Sequence, residues 1–146
     1  MLNINEIVEE WKNDSPIDSS RLEYELCRTP SLHSKYVNYY ILFKQELGKA
    51  EYNYSKLANI KRRYYRGEMT YDDLQKYEWS QYQGLKPNLS EMNSLLEYDI
   101  DLSKLKEKVN ELKSAVQAME YIIKSITGRD YSLKSLIDYQ KFLNGG

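Results

Sequence analysis

Cysteine, histidine, proline and glycine are all scarce in this chain: 146 residues include one cysteine, one histidine, three prolines and six glycines. Cys27 has no partner for an internal disulfide, which favours a reducing compartment. One cysteine and one histidine, His33, cannot by themselves build a metal site or a catalytic triad. No glycine-rich phosphate loop occurs either. We therefore expect no enzyme, no bound metal and no cofactor.

Long apolar runs are also absent. No stretch approaches the roughly 20 apolar residues that a membrane helix needs, and the acidic start, with Glu6, Glu9 and Glu10, is unlike a signal peptide. We therefore expect a soluble protein with no membrane partner. The formal net charge is −1, so any affinity for phosphate must arise from uneven placement of charges.

The pattern that is present is helical throughout. Apolar residues recur at spacings of three and four, with few helix breakers and no β-branched runs. This predicts an all-α, homo-oligomeric bundle of long helices with coiled-coil-like C-terminal helices. We expect a single domain, 1–146, with N-terminal helices in 1–67, connecting helices in 68–100 and oligomerisation helices in 101–146.

Local signals suggest where the helices of the N-terminal part begin and end. The first helix should end near Asn13, and Asp18 or Ser19 can cap the next. Thr29-Pro30 either starts a new helix or kinks a longer one. Gly67 is a natural C-terminal cap for the long helix that precedes it.

Similar signals divide the middle of the chain. Thr70, followed by Asp73, resembles a capping box and should open a helix that continues to Tyr82 and as far as Leu85. Ser90 should cap a brief helical segment after the next loop.

The most regular pattern begins after Asp99 or Asp101 and stops at Gly128, and a last amphipathic helix follows Asp130. We call its apolar positions, with those of the last helix, the seam, and predict that they mediate oligomerisation: Leu102, Leu105, Val109, Leu112, Val116, Met119, Ile123, Ile126, Leu133, Leu136 and Ile137.

The size of the predicted assembly depends on the side chains of the seam. Its alternation of β-branched and leucine positions tends to favour a coiled coil of two helices. Ala115, Ala118 and Ile122 widen the stripe, which suits a bundle or a ring. A core within one chain is the alternative.

Charge is segregated along the chain. Residues 44–67 hold seven basic side chains and two acidic ones, whereas residues 68–101 hold eight acidic and two basic ones. At helical spacing, several of the cations share one face with tyrosines. Cations that displace counterions, and rings on which bases stack, are what binding of single-stranded DNA requires. The candidate binding residues are Lys49, Tyr52, Lys56, Asn59, Lys61, Arg62, Arg63, Tyr65 and Arg66, with Tyr64 as a further candidate ring.

Two simpler interpretations of the basic run remain open. It can be a solvated helix face, or it can pair with the acidic 68–101 segment. A nuclease would need clustered carboxylates to hold a divalent metal. The adjacent acids Asp72 and Asp73, like Asp99 and Asp101, are better explained as helix starts.

A set of residues in the first half of the chain forms a recognisable pattern: Ile17-Asp18-Ser19, Leu22, Tyr24-Glu25, Ser34-Lys35-Tyr36, Asn38 and Tyr64-Tyr65 before Gly67. In order and without gaps, these residues resemble the UvsY family of recombination mediators of T-even-type phages, over about 4–67. The family carries a Lys-x-Arg pair shortly before its Tyr-Tyr, and these positions fall on Asn59 and Lys61. Lys56, Arg62 and Arg63 are candidate replacements for the cation that Asn59 lacks.

The resemblance implies a ring-like homo-oligomer, of six or seven subunits, that binds single-stranded DNA. It implies that the protein helps to remove the phage single-strand-binding protein and loads the RecA-like recombinase UvsX, in the cytoplasm of the infected bacterial host. The alternative function is a phage coiled-coil adaptor or structural protein that does not bind DNA.

Overall fold

A computed structural model describes residues 2–145 of the chain, which form five α-helices. Their bounds are α1 Ile4–Asp14, α2 Leu22–Tyr65, α3 Tyr71–Tyr77, α4 Leu89–Glu97 and α5 Ile100–Leu143. The expectation of an all-α fold with long helices is confirmed. None of the helices in 2–145 combines the length and apolarity that crossing a bilayer requires.

The helices form two compact units. Unit 1 contains the chain up to Gln45 and from Leu112 onward, and unit 2 is Glu46–Glu111. The 44-residue helices α2 and α5 contribute to both units. The single domain with subdivisions at 67 and 101 stays a prediction; the two units divide the chain inside the two long helices.

In unit 1, α1 packs against the first half of α2 through aromatic and polar contacts. The rings of Trp11 and Tyr36 meet edge to face with centroids 5.3 Å apart. The fully buried Tyr36 donates its hydroxyl hydrogen to Asp14 at 2.8 Å, and Lys35 pairs with the same carboxylate at 2.8 Å. Burial, together with the Asp14 carboxylate, raises the pKa of Tyr36 far above its usual value. The phenol therefore remains a donor that holds α1 on α2.

A buried ion pair joins α5 to the start of α2 in unit 1. The Arg129 guanidinium pairs with Glu25 and donates to the backbone oxygen of Ser15 at 2.7 Å. Both charged side chains are almost completely buried. The pair fixes the position of the segment after α1, because one guanidinium bonds both that backbone and the carboxylate on α2.

Two expected helix breaks do not occur. Helix α2 continues through Pro30, so a helix restart at that proline is wrong, and α5 continues through Gly128, where we expected the seam to stop. A proline inside a helix costs about 3 kcal/mol and a glycine about 1 kcal/mol. Leu32 and Leu133, which follow these residues, are buried in the core. Burial of that kind, repeated along each helix, outweighs the local penalty.

The C-terminus of α2 follows the prediction. Gly67 has φ of +70°, and its N–H donates to the oxygen of Tyr64 at 3.0 Å. The N–H of Glu68 donates to the oxygen of Arg63 at 3.0 Å. These two bonds form a Schellman motif, in which the residue with positive φ is most favourable as glycine.

Helix α3 begins as predicted but ends early. Thr70 caps it by accepting from the N–H of Asp73 at 3.2 Å. The helix ends at Tyr77, so the expected continuation to Tyr82 and Leu85 is wrong. Glu78 adopts a left-handed conformation, φ 58°, which turns the chain so that the Trp79 ring stacks on Tyr77 with centroids 4.7 Å apart. Contacts of this ring outweigh the helical preference of the segment.

The cap of α4 differs from the predicted residue, whereas the cap of α5 is one of the two predicted residues. Asn88, not Ser90, caps α4, through a reciprocal capping box with Glu91. Asp99 caps α5 by accepting from the N–H of Leu102 at 3.0 Å, as one of the two predicted starts. The buried apolar centre of unit 2 lies where α2, α4 and α5 meet, and it comprises Ala58, Met92, Leu96 and Leu102.

A buried polar cluster lies beside that centre. Lys61, on α2, places its ammonium 3.0 Å from Asp99 and 2.9 Å from Asp101. Tyr65 donates its hydroxyl hydrogen to Asp99 at 2.6 Å. The side chains of Lys61 and Asp99 are only 7% and 4% exposed. We call Lys61, Tyr65, Asp99 and Asp101 the lysine cluster.

The hydrogen bonds of the lysine cluster stabilise the charged forms of Lys61 and Asp99. Burial alone would lower the pKa of Lys61, but hydrogen bonds to Asp101 and Asp99 outweigh it, and that pKa is raised. Burial alone would raise the pKa of Asp99, but the bonds from Tyr65, the Leu102 N–H and Lys61 lower it. Both groups are therefore charged at neutral pH, and the pair links α2 to the start of α5.

Two glycine substitutions in unit 2 should have opposite effects on stability. Gly67→Ala places a side chain at positive φ and should lower the free energy of unfolding by about 1 kcal/mol. Gly48→Ala lies inside α2 with no atom within 4 Å of the added carbon, so it should raise that free energy by about 0.5 to 1 kcal/mol. Urea unfolding followed by circular dichroism measures both. Equal effects of one sign would contradict the assigned α2 terminus.

Removal of the Lys61 charge should be strongly destabilising. Lys61→Met leaves the buried Asp99 carboxylate without its cation, and we expect a loss of about 3 to 5 kcal/mol in urea unfolding at pH 7. Arg63→Met is the matched control: Arg63 and Asp73 are about half exposed and 3.5 Å apart, so the loss should stay below about 1 kcal/mol.

The pH dependence provides a second measurement on the same cluster. Because the pKa of Asp99 is lowered from 3.8 on folding, its contribution is present above that pH and is lost as the pH falls further. Asp99→Asn should therefore reduce the loss of stability in acid relative to the wild-type chain. An equal loss of stability in acid for the two chains would show that Asp99 is not the responsible group.

Candidate nucleic-acid interface

The second half of α2 presents a continuous exposed face. Six of the nine predicted DNA-contacting residues have exposed side chains on it, and we call them the basic stripe: Lys49, Tyr52, Lys56, Asn59, Arg63 and Arg66. Their spacing of three and four places them in one row along the helix. The opposite side of α2 supplies Ala58 and Leu57 to the core of unit 2. The stripe therefore faces solvent while the helix remains packed.

The cations of the stripe are largely unpaired. Arg63 lies 3.5 Å from Asp73, and both side chains are about half exposed. Within residues 2–145, Lys49, Lys56 and Arg66 have no carboxylate within 4 Å. An exposed pair such as Arg63–Asp73 contributes little and exchanges readily with another anion. The stripe thus retains a positive surface on which phosphates can replace condensed counterions.

Arg62 lies at the edge of the stripe. Its guanidinium donates to the Asn59 side-chain oxygen at 2.7 Å, and the side chain is half-buried. Asn59, one of the two positions that match the family's Lys-x-Arg pair, therefore positions a neighbouring cation although it carries no charge. This arrangement supports Arg62 as the cation that Asn59 lacks.

Two of the predicted contact residues lie elsewhere, and this corrects the sequence prediction. Lys61 and Tyr65 belong to the lysine cluster, where Asp99 binds both. The neighbours of Lys61 one turn away on α2 are apolar or aromatic, namely Leu57, Ala58, Tyr64 and Tyr65, so this side of the helix faces the core. The Lys61 side chain is buried and the Tyr65 hydroxyl is bound to Asp99, so neither polar group is available to a DNA strand.

Most of the tyrosines near the end of α2 are also internal. Tyr64 contacts the rings of Tyr65, Trp79 and Tyr82, with centroids 5.2 to 5.8 Å apart. Its hydroxyl donates to the backbone oxygen of Ser80 at 2.8 Å. The nomination of Tyr64 as a stacking platform is therefore corrected as well. Tyr52, 65% exposed, is the nominated ring that keeps a free face.

The seam on α5 is mostly buried inside the single chain. The buried members are Leu102, Val109, Leu112, Val116, Met119, Ile126 and Leu133, and the half-buried ones are Leu105, Ile123, Leu136 and Ile137. A side chain without exposed surface in one chain has none to offer another, so this burial favours the alternative of an intrachain core for the first group. Oligomerisation stays a prediction. Exposed apolar side chains follow in the last part of α5, among them Tyr131, Tyr139, Phe142 and Leu143.

The acidic residues singled out in the sequence serve the fold and do not form a metal site in the described part of the chain. Asp73 and Asp99 lie at the starts of α3 and α5. In the part of the chain that the structure describes, no group of three or more histidine, cysteine or carboxylate side chains could hold a metal ion. The role of Asp99 as the partner of Lys61 was missed. The apolar neighbours of Lys61 on its own helix were the signal that it required a buried carboxylate.

Comparison with known proteins identifies relatives along the whole chain. The recombination protein UvsY of Enterobacteria phage T4 is 25% identical over 146 residues, which cover 99% of each chain. Crystal structures of the bacteriophage T4 recombination mediator protein UvsY superpose with TM-scores of 0.85 and 0.84. The first comparison covers 100% of both chains and the second covers 97% of this chain and 99% of the other, each at 24% identity. At that identity the superpositions show a shared fold.

The family assignment comes from the sequence. The model of the family described as recombination, repair and ssDNA binding protein UvsY matches residues 10–146. The match extends through α3, α4 and α5, well beyond the 4–67 segment in which the resemblance was strongest. The chain belongs to the UvsY family of recombination, repair and single-stranded-DNA-binding proteins.

Proposed function

We propose that this protein binds single-stranded DNA through the basic stripe and acts there as a recombination mediator. The observation that carries the proposal is the exposed row of cations on α2, of which Lys49, Lys56 and Arg66 have no carboxylate partner within 4 Å among the described residues. Such a row suits a flexible phosphate chain without demanding a base sequence. Tyr52 adds an exposed ring in the same row, on which a base can stack.

The mediator role combines this surface with assembly. In this proposal the protein loads a RecA-like recombinase of the UvsX type onto DNA covered by the phage single-strand-binding protein, in the cytoplasm of the infected host. One stripe offers few cations and should bind weakly. A ring-like homo-oligomer would place several stripes on one strand, and their effective concentration would raise the affinity without new contacts.

The alternative is a coiled-coil adaptor that does not bind DNA. The pairing of Lys61 with Asp99, and of Arg63 with Asp73, gives this alternative some support, because part of the basic run is already matched by the acidic segment. The two functions differ in one simple property. The mediator binds an oligonucleotide at low salt, whereas the adaptor does not.

Removal of stripe cations should weaken DNA binding and reduce its dependence on salt. Lys56→Ala, Arg63→Ala and Arg66→Ala together should lower the slope of log affinity against log salt by about 2, since each phosphate contact to single-stranded DNA contributes about 0.7. Fluorescence anisotropy with labelled oligo(dT) at several salt concentrations measures this slope.

The matched control removes three exposed lysines outside the stripe. These are Lys76, Lys86 and Lys134, and their replacement by alanine makes the same change in net charge. The control should retain the wild-type slope within error. Equal slopes for the two triple variants would show that binding follows net charge and not the stripe.

Self-association should depend on the exposed end of α5. Tyr139 and Phe142 are 59% and 76% exposed, and burial of such rings between subunits is a common source of affinity. Tyr139→Ser with Phe142→Ser should lower the mass measured by light scattering and weaken DNA binding. Tyr71→Ser, which removes a 72% exposed ring of α3, should change neither property. An unchanged mass in the double variant would exclude this end of α5 from the interface.

A further inference from the structure

A second group of cations lies beside an open groove in unit 2. The groove encloses about 800 Å³ between the second half of α2, α4 and the start of α5. The side chains that matter here are Arg62 from α2, Tyr98 from the α4–α5 junction, and Lys104 and Lys106 from α5. None of these residues except Arg62 was a candidate from the sequence.

The charges of the groove favour an anionic occupant. Arg62, Lys104 and Lys106 line it together with two carboxylates, Glu97 and Glu107. Among the described residues, none of the three cations lies within 4 Å of a carboxylate. The groove therefore has three available cations, and the two acids leave it with an excess positive charge of one.

The groove also offers aromatic surface. Tyr98 is 79% exposed and contacts no other ring in the described part of the chain. It differs in this from Tyr64, Tyr65 and Tyr82, which contact one another. The Lys106 ammonium lies 5.4 Å from the ring centroid of Tyr54, which also lines the groove. A free ring beside unpaired cations is the combination that holds a base and its phosphate.

The groove is continuous with the basic stripe. Arg62 lines the groove and donates to Asn59, a member of the stripe, at 2.7 Å. A strand that follows the stripe along α2 therefore meets the groove at Arg62.

We propose that this groove is a second nucleotide-binding surface, in which Lys104 and Lys106 contact phosphates of the single strand and Tyr98 stacks on a base. The inference rests on the proposed function, because it extends the path of the same strand from α2 to α5. Its occupant is a stretch of single-stranded nucleic acid, not a free nucleotide or a peptide.

The test compares two pairs of lysines on α5 in the full-length chain. Lys104→Ala with Lys106→Ala should lower the salt slope of oligo(dT) binding by about 1.4, which corresponds to two phosphate contacts. Lys108→Ala with Lys113→Ala removes two exposed lysines of the same helix that do not line the groove, and it should leave the slope unchanged.

Stacking is tested at Tyr98. Tyr98→Ala should weaken binding about fivefold or more, the lower end of what one stacked base contributes. Tyr98→Trp places a fluorophore in the groove, and its emission should be quenched by oligo(dT) beyond the change seen in the wild-type chain. Tyr71→Trp, at an exposed site outside the groove, should show no additional quenching.

The outcomes separate the two proposals. If the wild-type chain and the stripe variant behave as expected while the groove variants match their controls, the groove proposal is overturned and DNA binding by the stripe stands. If the wild-type chain does not bind oligo(dT) even at low salt, the proposed function fails and the groove proposal fails with it.

Discussion

The ion pair between Lys61 and Asp99 is the interaction on which the arrangement of unit 2 depends. It joins the basic end of α2 to the residue that caps α5, and Tyr65 binds the same carboxylate. A buried charge without its partner is costly, so the rotation of α2 about its axis is constrained at Lys61. That rotation places the row from Lys49 to Arg66 in solvent. The same constraint that buries one cation therefore exposes the others.

The acidic segment that follows α2 has a limited part in neutralising the basic run. Asp99 and Asp101 bind Lys61, which faces inward, and Asp73 lies near Arg63 at the surface. Other acids of the segment serve as helix caps or lie exposed, as Glu91 does in its capping box. The basic and acidic segments of the sequence therefore form one buried ion pair in the fold, while most of the basic side chains lie on an exposed surface. Counting charges along the chain cannot distinguish these, because only packing decides which cation meets a carboxylate.

Most of the predicted helix caps, which depend on hydrogen bonds within about one turn, agree with the structure, whereas helix breaks that oppose burial in the core do not. The caps at Gly67, Thr70 and Asp99 were predictable, because each depends on hydrogen bonds that span only three to five residues. A helix restart at Pro30, one of two alternatives there, and a stop at Gly128 do not occur, because the apolar positions on both sides of each remain buried along one helix. After the end of α3, Trp79 contacts the ring of Tyr77 and the distant ring of Tyr64 on α2. Within the site, the spacing found the stripe, but the inward position of Lys61 required attention to its apolar neighbours at 57, 58, 64 and 65.

The stripe also carries a cost that explains why it suits a ligand. Arg66 lies three residues from Arg63 and four from Arg62, and like charges at such spacings on a helix repel each other by about 0.2 to 0.5 kcal/mol per pair. A bound phosphate removes that repulsion, so part of the binding energy is the relief of strain already present in the folded protein. Charges elsewhere interfere little, since screening at physiological salt reaches only about 8 Å. A chain with a net charge of −1 can therefore attract a polyanion at one face, and each additional copy of the chain in an assembly would add another such face to the same strand.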